Sequence, residues 1–97
     1  MKKQEIGSFI EKKRDVFIEL SDKIWAFAET AFVEFQSADL LCEALEKEGF
    51  SVERGTGGVA TAFCGSWGSG SPVIAFLGEY DALSGLSQKG GVAVKEP

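Results

Sequence analysis

The chain contains no histidine at all. That absence removes the commonest general base near neutral pH, the commonest metal ligand and any catalytic triad built on an imidazole. Cysteine is nearly as scarce. Cys42 and Cys64 stand in apolar surroundings and form no Cys-x-x-Cys pair, so neither a zinc knot nor an activated thiol is expected. They read as reduced, inert core residues. There are two prolines and no repeat or low-complexity tract, which excludes a fibrous or disordered chain. The longest fully apolar run, "VIAFL" at 73 to 77, falls far short of the roughly 20 residues needed to cross a bilayer, and "MKKQEIG" opens into charge instead of a signal-peptide core. A cytoplasmic location and no membrane partner are expected. Positive charge is short as well. Ten bases against 15 acids give a net charge of -5, and the one basic cluster, "EKKRD" at 11 to 15, carries its own acids. No nucleic-acid partner is expected of such a surface.

What is present suits a soluble globular protein: 44% hydrophobic residues, with eight Phe and two Trp to build a core. A chain of 97 residues forms one domain or part of one, and at this size folding buries only about 60 to 70% of the unfolded surface. Character changes near Gly49, helical before it and strand-like after. Ile6, Phe9, Ile10, Val16, Phe17, Leu20, Ile24, Phe27 and Ala28 recur at intervals of three and four, predicting one amphipathic helix from about Lys3 to about Ala28. After the connector "ETAFVEFQ", Ser37 suits an N-cap with Asp39 in the first turn, and Leu41, Cys42 and Leu45 form a second apolar stripe. "LEKEGF" then predicts a Schellman ending, with Gly49 in the left-handed position and Phe50 folding back.

Beyond Gly49, β-forming residues and glycine punctuation predict three short strands, at about 51 to 54, 59 to 65 and 73 to 79. The joints "GTGG" (55 to 58) and "GSWGSGSP" (65 to 72) lack a Lys-Ser/Thr signature and lead into no helix. They read as strand-to-strand turns, not phosphate cradles. The third strand lacks polar alternation, as an inner strand covered on both faces would. It runs straight into Glu79 and Asp81, at the carboxyl end where open α/β sheets place their reactive groups. Alternation puts both acids on one side and Tyr80 on the other, so the two carboxylates could converge on one cation or one proton. The plainer alternative stays open, and spacing alone favours it: Asp81 caps the turn into "ALSGLS" and Glu79 is solvated.

Three segments in order, "WAFAETAFVEFQSADLL", "EGFSVERGTGGVATAF" and "FLGEYDALSGLSQK", together resemble the amino-terminal part of the dinuclear-metal amidohydrolases and peptidases related to aminoacylase. Within that family the likeness is greatest to the p-aminobenzoyl-glutamate hydrolase-like branch. The resemblance implies an α/β fold, here two N-terminal helices followed by a three-stranded sheet. These would open a three-layer αβα catalytic domain of which residues 1–97 are an incomplete part, without the lid and dimerisation domain. It also implies two divalent metals, zinc or manganese, a small-molecule amide or dipeptide substrate, and a homo-oligomer such as a dimer. In the family this strand ends in His-x-Asp. Asp81 matches the aspartate, which orients a metal-bound histidine and raises its basicity, whereas Glu79 stands at the histidine's place and is the weaker candidate, as a metal ligand. Ser84 stands where many relatives have proline.

The family's remaining ligands and its general base would follow Pro97. On the residues present, no tight metal binding by this chain is expected. The reading is an N-terminal fragment of a metal-dependent amidohydrolase acting on an N-acyl amino acid or aminobenzoyl-glutamate-like amide, inactive as the isolated chain. The alternatives are a self-associating or partner-binding module without catalysis, and a free-standing enzyme that uses only Glu79 and Asp81 as an acid/base pair.

Overall fold

The computed structural model describes residues 3–84. Among them are three α-helices, α1 (Lys3–Lys12), α2 (Arg14–Phe27) and α3 (Phe35–Lys47), and two strands, β1 (Ser51–Arg54) and β2 (Phe63–Ser66), joined through a 3₁₀ turn at Thr56–Gly58. None of these helices is long and apolar enough to cross a membrane.

The predicted first helix is broken in two. Lys13 leaves helical geometry (φ −100°, ψ 6°), its N–H reaching back three residues to the Ile10 carbonyl, and its ammonium pairs with Glu48 at the far end of α3. No glycine or proline marks the break, and the apolar stripe runs on through it. The joint thus carries a tertiary ion pair, which periodicity cannot see. No residue of α1 or α2 is buried.

α3 carries the core. Ser37, Ala38 and Cys42 are buried along it, while α2 packs on one of its sides and the hairpin on another. Its start differs from expectation. Glu34, not Ser37, is the N-cap, and Ser37 lies inside the first turn. Asp39 lies deeper in the helix and pairs with Arg54 of β1. The end is as predicted: the Phe50 N–H bonds to the Leu45 carbonyl and the Gly49 N–H to that of Glu46, with Gly49 at φ +92°, which is the Schellman pattern.

β1 and β2 are antiparallel, with Val52 opposite Gly65 and Arg54 opposite Phe63. The first strand lies where the sequence put it. The second is shorter than predicted because residues 55 to 62 curl into a loop closed by the Gly55 N–H on the Ala62 carbonyl. Gly55, Gly57 and Gly58 all have positive φ in it, a conformation open to glycine without steric cost. Gly65 faces α3, and a Cβ there would stand 3.0 Å from Leu45 Cδ1. Cys64 therefore faces away from α3, and with no second layer over that face among the described residues it is exposed. This corrects the expectation of two core cysteines. Cys42 is fully buried, and burial pushes its thiol above the ordinary value, so it stays protonated and inert.

The third strand does not form. Residues 73 to 79 belong to no ladder, and Val73, Ile74, Phe76 and Leu77 are 76 to 100% exposed. β-forming side chains favour extension, but a strand also needs a neighbour to accept its backbone hydrogen bonds. The described residues are thus α/β in composition, with a two-stranded sheet in place of the three-stranded one expected, and among them a single helix, α3, packs against it.

Candidate functional site

The extended segment regains contact with the body of the protein at its acidic end. Tyr80 turns inward: its ring lies 5.9 Å from that of Phe63, tilted by 49°, and its hydroxyl donates to the Thr61 carbonyl. Two residues later the Ala82 N–H donates to the Glu29 carbonyl at 2.7 Å, in a single parallel bridge between Thr30 and Ala82. Glu79 and Asp81 both remain exposed. The backbone alternates as an extended chain must, with the tyrosine held inward and an exposed acid on each side of it. The segment "ALSGLS" into which Asp81 would cap a turn in the plainer alternative spans 82 to 87, and its second half, 85 to 87, lies outside the described residues.

Two further carboxylates stand behind this tip, both from the connector between α2 and α3. Glu29 follows Ala28, whose left-handed backbone (φ 49°) ends α2. The Glu29 carboxylate accepts the N–H groups of Gln36 at 2.9 Å and Ser37 at 2.7 Å. It thus caps the first turn of α3 from seven and eight residues upstream, where free amides and the helix dipole both favour an anion. Partial burial raises its proton affinity, but the Ser37 and Gln36 donors outweigh that and hold the carboxyl below the ordinary carboxylate value. Glu34 is buried, and its carboxylate accepts the Thr61 hydroxyl at 3.3 Å. For Tyr80, burial first and the nearby Glu34 charge second push the hydroxyl above its usual value. It is therefore neutral and a donor at physiological pH.

Sequence reasoning singled out Glu79 and Asp81 and passed over Glu29, Glu34, Thr61 and Tyr80. The available signal was two acids in the otherwise apolar connector "ETAFVEF" just ahead of a helix, where a carboxylate can satisfy free amides. Among the described residues no group of three or more His, Cys, Asp or Glu side chains is placed to hold a metal ion.

No family model matches the chain, and no solved structure matches it. Among curated proteins, a subunit of the p-aminobenzoyl-glutamate hydrolase of Escherichia coli (strain K12) is 51% identical to it over 94 residues. That alignment takes in 93% of this chain and 20% of the hydrolase subunit. The chain spans about a fifth of the length of the curated relative it matches. With half of its aligned positions shared over almost its whole length, the chain is closely similar to that p-aminobenzoyl-glutamate hydrolase subunit, the likeness that its three motif segments carry.

Proposed function

We propose that the chain is the amino-terminal part of the catalytic domain of an amidohydrolase that cleaves p-aminobenzoyl-glutamate or a related N-acyl amino acid, and that it is inactive without the rest of that domain. The observation that carries this reading is the 51% identity to the p-aminobenzoyl-glutamate hydrolase subunit. In this reading Asp81 belongs to the active site as an orienting carboxylate, and Glu79 beside it is the weaker candidate. Two divalent ions, zinc or manganese, would be held largely by residues outside this chain. The protein would work in the cytoplasm as a homo-oligomer.

The test is a purified longer protein that carries this segment, assayed beside the 97-residue chain. The longer protein is expected to release p-aminobenzoate from p-aminobenzoyl-glutamate, and the short chain to release none. Asp81→Asn in the longer protein should keep the fold and lower activity by roughly 10- to 100-fold, the usual loss when the partner of a metal-bound histidine is removed. Glu79→Gln should be milder. Turnover by the short chain, or a metal-replete longer protein that leaves the substrate intact, would refute the proposal.

A further inference from the structure

The backbone around Asp81 is held at two points, and both lead to the start of α3. On one side, Tyr80 bonds to the Thr61 carbonyl, and the Thr61 hydroxyl bonds to Glu34, the N-cap of α3. On the other, Ala82 bonds to the carbonyl of Glu29, whose carboxylate holds the Gln36 and Ser37 amides of the same helix turn. The two anchors are the residues immediately before and after Asp81. Beyond the Tyr80 ring beside Phe63, apolar packing adds little to this holding, because the run that leads into the tip is exposed along its length, with Leu77 fully so. Without the anchors, each residue of the tip would regain two soft backbone torsions.

We propose that Glu29 and Tyr80 are positioning residues. Acting through α3, they fix the direction in which the Asp81 carboxylate leaves the backbone; the functional half of this inference rests on the amidohydrolase reading. A carboxylate that must meet its partner in one geometry gains from a backbone already fixed there, since the ordering entropy is then spent during folding and not during the reaction. Glu34 makes the link stiff. A buried carboxylate needs its donors, so the Thr61 hydroxyl is constrained, and with it the carbonyl that receives Tyr80.

The decisive substitution is Tyr80→Phe, which keeps the ring beside Phe63 and deletes only the hydroxyl. Amide hydrogen exchange on the 97-residue chain reads the result. The Ala82 amide, which Tyr80 does not touch, should exchange roughly tenfold faster, the scale set by losing one net hydrogen bond. The β1 and β2 amides should keep their rates. Glu29→Gln should speed exchange at Ser37 and Ala82 together. An unchanged Ala82 rate in Tyr80→Phe overturns the proposal. So does an equal acceleration across the hairpin, which would make the hydroxyl a support of the whole fold. In the longer hydrolase, Tyr80→Phe should lower kcat about tenfold with KM unchanged, and an unaltered kcat would remove the positioning role. Should the unsubstituted longer protein show no hydrolysis, the functional reading fails while Ala82 exchange still decides the clamp.

Discussion

Glu29 is the residue on which most of the local order converges, since its carbonyl holds the Asp81 tip and its carboxylate caps α3. Burial alone would raise its carboxyl, but Ser37 and Gln36 hold it below the ordinary value. A carboxyl depressed by folding stabilises the fold above its unfolded-state value, near pH 4.3, and that contribution disappears as the pH falls through the lower folded-state value. Thermal unfolding followed by circular dichroism should show stability falling as the pH is lowered through the carboxylate range and below it, and Glu29→Gln should flatten the slope. At pH 7, Glu29→Ala should cost about 1 kcal/mol, the typical value of a lost N-terminal cap. An equal acid slope in the unsubstituted chain and Glu29→Gln would assign the effect to other carboxylates. Cys42 and Cys64 separate at the same scale: the exposed Cys64 should react with a thiol reagent in the native chain and the buried Cys42 only on unfolding.

At the scale of elements, α3 is the organising unit, with α2 on one side of it and the β1–β2 hairpin on another. Its Schellman end aims the chain into β1, and Gly49 makes this possible at φ +92°. No side chain obstructs a substitution there, because a Cβ would meet only Trp67 Nε1 at 3.9 Å. The penalty for Gly49→Ala is therefore conformational, and a loss of about 1 kcal/mol is expected in denaturant unfolding at an unchanged m value. The close approach of Gly65 to Leu45 was not legible in the sequence, nor was the break at Lys13. The first depends on how the hairpin seats on α3, and at the second the tertiary contact of Lys13 that the sequence could not show is with Glu48, 35 residues away. The Gly49–Phe50 ending was legible because all its bonds close within six consecutive residues.

For the whole molecule, surface is the governing quantity. The chain exposes 7986 Å², against about 5,400 Å² for a compact monomer of its mass. Its Cα radius of gyration is 15.7 Å, where a compact 100-residue domain has about 13 Å. A stable interface takes ~800 Å² from each partner, and the surface open here includes the apolar run Val73 to Leu77. Self-association of the isolated chain is expected. Light scattering after size exclusion should give a mass above 10.4 kDa that falls on dilution. Leu77→Asp should shift the population to monomer while leaving helix content and unfolding midpoint nearly unchanged, since that side chain touches nothing in the single chain. A 10.4 kDa species at every concentration would show that the open surface stays solvated.

The sequence by itself determined what depends on near neighbours: a helical first half, the ending of α3, the place of β1, and an acidic tip flanking one tyrosine. These follow from side-chain period, glycine torsions and hydrogen bonds between residues close in the chain. Its three motif segments also pointed to a likeness to p-aminobenzoyl-glutamate hydrolase, and the 51% identity bore that likeness out. Tertiary structure alone decided what depends on distant partners: the joint at Lys13, the capping of α3 by Glu29 in place of Ser37, the exposure of Cys64, and the tie from Tyr80 through Thr61 to Glu34. The run "VIAFL" shows the difference most directly. Its composition is that of a buried inner strand, yet a strand exists only where another backbone accepts its hydrogen bonds. Among the described residues none is placed beside it.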